Sequence, residues 1–397
     1  MNTRSKNEID LLIISQYFTP DVTAAAFRWG ELNECLLSAN ISTHVFTTYP
    51  FKSKIFQVKE KSLNITRVCL YFEKNFFLRL LNSILFFIRA ILFVLINRKS
   101  FKNIIITTPP ISVGLIIPFI RFGSNAKLIL DVRDLWPDSI LDIGKLSERS
   151  LIFYILKKLE KYMYNNVDHI ICVSETMKQK IQEITSCNVD VIFNGIKKDR
   201  VKKLKTLESI HRQPSKCIRL VYAGNIGLAQ NILGFLKKFN ALNKHHIFLE
   251  IIGSGAQLDQ CIAFVKETKM ENVEFMGAIP KDECMRRMAD ADILLLPLVS
   301  GRAFSLTIPS KVFDYILFKK PILTNLNGEA LQIMNDNSEV YRFGDSVYEL
   351  QKILPVIINN LGDQIDKTTT ELPVKYYRES QAKLLIEKIL FFDDGNY

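Results

Sequence analysis

The sequence holds no Cys-x-x-Cys pair, and its seven cysteines stand dispersed at 35, 69, 172, 187, 217, 261 and 284. An odd, scattered set reads as reduced thiols and excludes both a disulfide framework and a zinc site. Histidine is scarce, with five residues and none at metal-site spacing. No apolar core precedes Leu11, so no secretion signal is expected and a cytoplasmic protein is the default. A complete dinucleotide fingerprint is also missing. After Gly253-Ser254-Gly255 the third glycine place is Leu258, and Gly277-Ala278 stand where an acid is needed, which disfavours NAD binding.

What is present is a chain of 397 residues, 48% hydrophobic and 23% charged. That is a globular composition, and the length suggests two domains. The net charge of +11 is unevenly spread. Residues 1–195 carry 24 Lys and Arg against 17 Asp and Glu, residues 196–215 carry 7 against 2, and residues 216–397 carry 21 against 22. A basic first half beside a near-neutral second half implies different partners, with phosphate-bearing molecules or anionic lipid on the basic side.

Short apolar runs alternate with segments of helix length, which is the rhythm of parallel α/β sheets. Leu11–Ser15, Thr43–Thr47, Asn103–Thr107, Lys127–Asp131 and His169–Val173 form one set of expected strands. Ile218–Ala223, Ile247–Ile252, Val273–Met276, Ile293–Pro297 and Pro321–Thr324 form a second. The expected division is a first domain over 1–196, a polar linker over 197–216 and a second domain over 217–373. Phe76–Ile96 breaks the rhythm. It is apolar almost all round, holds Arg79 and Arg89, and is followed by Arg98 and Lys99. It reads either as a helix lying at a membrane interface, with Phe86, Phe87 and Phe93 as its lipid contacts, or as a buried helix.

Four segments carry chemistry. Asp131-Val132-Arg133-Asp134 follows an expected strand directly, so its polar groups emerge where α/β sites form. Arg133 is the nearest partner able to take one of the two carboxylates in a bidentate pair. Tyr222-Ala223-Gly224-Asn225-Ile226-Gly227 and Gly253-Ser254-Gly255 each place glycine at a strand end, letting backbone approach a diphosphate. In Pro309-Ser310-Lys311-Val312-Phe313-Asp314 the proline opens a helix. Ser310 and Lys311 then lie at its start, with Asp314 one turn on, in reach of ribose hydroxyls or else simply ion-paired to Lys311. Asp290-Ala291-Asp292 has the form of an Asp-x-Asp cation pair, but it precedes a buried run and reads rather as the end of a helix.

Taken in order, these segments resemble bacterial glycosyltransferases of family 4, with the GT-B fold. The match includes Ser15–Asp21, Thr108-Pro109-Pro110, Asp131–Asp138, Val173-Ser174-Glu175, Phe193-Asn194-Gly195 and Ile308–Tyr315. More narrowly the chain is similar to O-antigen, capsule and colanic-acid enzymes of the N-acetylfucosamine transferase type. The resemblance implies two Rossmann-like doubly wound domains facing across a cleft, a last helix over 374–397 crossing back to the first domain, and metal-independent sugar transfer with retention from a nucleotide donor, usually UDP-linked, with no cofactor. Gly224, Asn225, Gly253 and Gly255 would lie near the donor, Ser310 and Lys311 at its diphosphate, and Asp314 at the ribose. Asp131 or Asp134 would stand near the reacting sugar, and Lys311 would share in catalysis.

The implied acceptor is a saccharide on a polyprenyl diphosphate, which makes the protein peripheral on the inner face of the cytoplasmic membrane, against anionic lipid. The chain departs from the family at Leu306, where the first of two acids usually stands, and at Leu228–Asn231, which lack the usual cation. Two other readings are a nucleotide-sugar epimerase on the same architecture and a nucleic-acid binder. The second is disfavoured because the charge lacks interleaved aromatics.

Overall fold

The computed structural model describes residues 9–21, 23–50, 64–69, 76–207, 217–242, 246–361 and 372–390. Packing divides the chain into two units. Unit 1 holds the residues up to Ile140, Leu146–Gly195, and those from Lys375 on; unit 2 holds Leu141–Lys145 and Ile196–Val374.

Unit 1 is built on seven parallel strands: β1 (Ile9–Ile14), β2 (Thr43–Thr48), β3 (Ile65–Val68), β4 (Phe101–Thr108), β5 (Lys127–Val132), β6 (His169–Cys172) and β7 (Val189–Val191). Their order is β3-β2-β1-β4-β5-β6-β7, so chain progression reverses between β1 and β4. In such sheets ligands bind beyond the carboxyl ends of the strands at the reversal. The strands are runs of Leu and Ile because both faces are covered. On one face, Trp29, Leu32 and Leu36 of helix α1 (Ala24–Ser38) pack with Ile13, Ile105 and Ile129, joined by Leu385 and Ile389 from the chain's last segment. Thr23 caps α1 by accepting from the Ala26 amide at 3.1 Å, satisfying one of the helix's free N–H groups.

Helix α2 (Phe76–Ile96) turns Asn82, Phe86, Ala90 and Val94 inward, all buried. Their spacing of four keeps them on one stripe. Phe86 and Phe93 pack on Phe46 of β2 with ring centroids 5.6 and 4.8 Å apart. Of the three side chains expected at lipid, Phe86 therefore belongs to the core and Phe93 is stacked on the sheet. Beyond β4 comes a tight turn, Ile111–Ile116, leading into α3 (Ile117–Gly123). The further helices of this unit's second half are α4 (Asp138–Asp142), which runs into the short 141–145 segment, α5 (Leu151–Asn165) and α6 (Glu175–Gln182).

Unit 2 opens with α7 (Lys198–Leu207). The expected linker is thus corrected over these residues, since Val201 and Leu204 are buried, one helical step apart. Residues 208–216 of that expectation lie outside the described residues. The sheet has six parallel strands: β8 (Ile218–Ala223), β9 (Ile247–Ile252), β10 (Val273–Gly277), β11 (Ile293–Leu296), β12 (Ile322–Thr324) and β13 (Val340–Arg342). They are ordered β10-β9-β8-β11-β12-β13, which puts the reversal between β8 and β11. Leu220, Tyr222, Leu249, Ile251 and Leu295 meet Phe235, Leu236 and Phe239 of α8 (Ile232–Ala241) in one core cluster. The remaining helices are α9 (Leu258–Glu267), α10 (Lys281–Ala289), α11 (Arg302–Ser305), α12 (Ser310–Tyr315), α13 (Gly328–Asn337) and α14 (Val347–Asn360).

The last segment, expected as one helix over 374–397, is a short turn at Val374–Tyr376, a helix at Arg378–Leu385 and a wider turn at Ile386–Leu390. Residues 391–397 lie outside the described residues.

Candidate functional site

In unit 2 the predicted donor residues converge at the sheet's reversal point. The β8 strand ends at Ala223, and the next residue, Gly224, has φ +152°. A Cβ there would sit 1.7 Å from Lys311 Nζ, so the lysine occupies the space a side chain would need. Gly253 follows β9 with φ +138°, and a Cβ on it would be 1.8 Å from the Gly224 carbonyl oxygen. A Cβ on Gly255 would lie 2.3 Å from the Ile226 oxygen. The two glycine loops therefore interlock backbone to backbone. The Gly224 amide donates to Ile252 O at 2.8 Å and the Ile226 amide to Ser254 O at 2.9 Å.

Lys311 lies in the first turn of α12. Its ammonium donates to the Tyr222 hydroxyl at 2.6 Å and sits 4.2 Å from the centroid of that ring. Tyr222 donates onward to Asn225 O at 2.5 Å. Shielding from water pushes the Lys311 ammonium down to about 7, against the pull of Asp314, because burial disfavours its charged form. Tyr315, one turn further along, accepts from the Ala223 amide at 3.0 Å and donates to Leu295 O at 3.2 Å. It ties α12 to the ends of β8 and β11.

Ser310 is the first residue of α12 and partly buried. Asn225 directs its amide to Gln230 Oε1 at 2.8 Å, and Gln230 also accepts from the Gly227 amide at 3.2 Å. Asp314 does not pair with Lys311. Its carboxylate is held by Arg200 of α7, a contact between residues 114 apart that spacing within α12 does not disclose. Asp292 Oδ2 accepts from the Arg219 amide at 2.7 Å, so this member of the Asp-x-Asp pair caps the junction from α10 to β11. Among the described residues no group of three or more acidic, His or Cys side chains is arranged to hold a metal ion.

In unit 1 the structure corrects the pairing expected at Asp131. This carboxylate, on β5 and fully buried, accepts from Arg28 Nη2 at 3.0 Å and Trp29 Nε1 at 2.8 Å. Arg28 also donates to Ile192 O at 2.8 Å. Arg133 instead donates to Thr108 O and Pro109 O, both at 3.2 Å. A buried carboxylate with both oxygens engaged serves as a structural anchor. Asp134 is only partly buried, and loss of water raises its pKa against the opposing charge of Arg133. Of the two acids it is the more exposed.

Residues 29–200 match the family model described as Glycosyltransferase Family 4, and residues 217–351 the one described as Glycosyl transferases group 1. Probable glycosyltransferase WbjE of Pseudomonas aeruginosa is 23% identical over 270 residues, covering 65% of this chain and 64% of that protein. Putative colanic acid biosynthesis glycosyl transferase WcaI of Escherichia coli is 21% identical over 329 residues, 77% of this chain and 80% of that one. Among solved structures, WaaG, a glycosyltransferase involved in lipopolysaccharide biosynthesis, covers 94% of both chains with TM-score 0.61 and 12% identity. HepE of Anabaena, in complex with UDP-glucose, covers 94% of this chain and 93% of its own with TM-score 0.59 and 11% identity. Two such matches in sequence, laid over two parallel sheets of this order, make the chain a member of the GT-B glycosyltransferases, with a family 4 domain ahead of a group 1 domain.

Proposed function

We propose that this glycosyltransferase moves a sugar, with retention and without a metal ion, from a UDP-linked donor to a saccharide on a polyprenyl diphosphate in the assembly of a surface polysaccharide. The observation that carries the donor half is Lys311 lying in the gap left by Gly224, over two interlocked glycine loops. A diphosphate settling there meets glycine backbone together with an ammonium short of solvation. Both groups gain from a dianion.

As the bond from the anomeric carbon to the diphosphate oxygen breaks, negative charge collects on the leaving group, and Lys311 with the loop amides is oriented to stabilise it. The acceptor hydroxyl forms the new bond to the anomeric carbon and passes its proton to the departing diphosphate oxygen, which carries the electron pair of the broken bond. Asp314, steadied by Arg200, takes the ribose hydroxyls. The acceptor half is supported by the place of WcaI in colanic acid biosynthesis and of WaaG in lipopolysaccharide biosynthesis, and UDP by the UDP-glucose held in HepE.

The test is a thermal-shift screen of UDP-sugars, since a specific ligand stabilises the folded state by mass action. Hits are then incubated with a lipid-linked acceptor and followed by nuclear magnetic resonance. Stabilisation by a UDP-sugar and its acceptor-dependent loss are expected. Conversion of the donor with no acceptor present would replace this reading by an epimerase.

A further inference from the structure

Unit 1 carries an apolar outer face spread over three neighbouring elements. The outward side of α2 shows Ile88 and Leu92, each about half exposed. Phe119 of α3 makes an edge contact with Phe87 of α2 at 6.1 Å, and Phe122 beside it is 95% exposed. The same turn and α3 also touch α5. A Cβ on Gly114 would clash with Met163 of α5, and Arg121 Nε donates to Asn166 O at 3.2 Å. At the start of α5, Leu151 and Ile152 are 72% and 61% exposed. Twelve of the twenty large hydrophobic residues exposed among the described residues belong to these three helices, and a thirteenth, Leu115, to the turn at Ile111–Ile116. Scattered apolar residues are ordinary on a surface; a concentration of this kind marks an interaction site.

The charge around this face selects the partner. Residues 74–130 contain eight Lys and Arg and not one Asp or Glu. Arg98 and Lys99 are exposed just after α2, and Lys158 and Lys161 on α5. Glu160 is paired with Lys157 and Asp168 with Arg121, and the exposed Glu148 ahead of α5 is followed directly by Arg149. A second copy of the same face would repel this one, whereas a bilayer with anionic headgroups satisfies both the apolar centre and the cationic surround.

The geometry points to α2, α3 and the first half of α5 as one membrane-docking face. Phe122, Leu151 and Ile152 enter the interface, while α2 lies flat with Phe86, Ala90 and Val94 locked on the sheet. The burial of that stripe is what rules out a spanning role for α2: crossing would strip it from Phe46. The inference deepens the proposed function by giving a lipid-borne acceptor a surface to arrive from, and it rests on that reading only for the acceptor.

The experiment is co-sedimentation of the full chain with vesicles of phosphatidylglycerol and phosphatidylcholine, or of phosphatidylcholine alone. Binding to the anionic vesicles is expected, weakened by salt and much lower on the neutral ones. The pair Phe122→Glu with Ile152→Glu should lower the bound fraction about tenfold or more. Calorimetry with UDP, which engages unit 2, should be unchanged by the pair, and an unchanged denaturation midpoint of the full chain shows that unit 1 keeps its fold. Wild-type binding by the double variant overturns the proposal, as does failure of the wild type to bind anionic vesicles. It is equally overturned by a dimer, seen by light scattering, that the substitutions dissolve. Loss of UDP binding with vesicle binding intact would sink the donor reading and leave this one standing.

Discussion

With its ammonium at about 7 in the free protein, Lys311 makes donor binding depend on pH in a direction the structure dictates. Only the protonated form attracts a diphosphate, and a bound dianion holds the proton on, so binding takes up a proton wherever the free lysine has lost one. Affinity should therefore be full below pH 7 and fall as pH rises above it. From pH 7 to about 8.5 the protonated fraction drops about 16-fold, equivalent to about 1.6 kcal/mol of binding. Between about pH 6 and 7 the change is only about twofold. Isothermal calorimetry with UDP over the upper range avoids the terminal phosphate, which titrates near about 6. Repeating the titrations in two buffers of different ionisation heat counts the protons taken up. The count should rise towards one with increasing pH, and Lys311→Met should abolish both the slope and the uptake. A wild-type affinity that stays flat from pH 7 to 8.5, with no proton uptake, would refute the placement of the diphosphate at Lys311.

Three further outcomes follow from the same geometry. Gly253→Ala forces a Cβ to within 1.8 Å of the Gly224 carbonyl and a strained φ of about 1–3 kcal/mol, so UDP affinity should fall at least tenfold by calorimetry. Asp131→Ala leaves the Arg28 guanidinium buried without its carboxylate. Unit 1 should lose about 3–5 kcal/mol, read as a lowered denaturation midpoint, while UDP binding by the remaining native molecules persists. Asp314→Ala should weaken UDP binding about tenfold, consistent with about 1.5 kcal/mol for hydrogen bonds to a charged group, with Arg200→Ala weakening it less; unchanged affinity in the first variant takes Asp314 away from the ribose.

Legibility of the fold in the sequence followed how apolar each run is. β1, β4, β8 and β9 are stretches of six to eight residues, almost wholly apolar at their centres, and even the short β6, β11 and β12 hold no charged residue of the Asp, Glu, Lys or Arg kind. By contrast β3, β7 and β13 each place a charged residue, Arg67, Asp190 and Arg342, within three or four positions, so no apolar run emerges. The segment Lys198–Leu207 reads as solvated chain because only two of its ten side chains, Val201 and Leu204, are known to face inward.

At the candidate site the glycines were legible because strand-end turns require them, and Lys311 because Pro309 opens α12 just ahead of it. Their partners were not. Tyr222 meets Lys311 across 89 positions, Arg200 meets Asp314 across 114, and Arg28 meets Asp131 across 103. Proximity along the chain favoured Arg133 for Asp131, but Arg133 turns to the carbonyls of Thr108 and Pro109.

The chain's end bears on how the molecule can be taken apart. Gln381 accepts from the Phe193 amide at 2.8 Å, Arg378 pairs with Glu31, and a Cβ on Gly195 would collide with the Tyr376 carbonyl. Leu385 and Ile389 complete the apolar layer over β1 and β4. A fragment stopping at Gly195 would therefore leave that layer open to water, and adding Lys375–Leu390 as a separate peptide should restore it. The first unit is thus a two-piece object, and translation finishes its last course only after the whole second unit has been made.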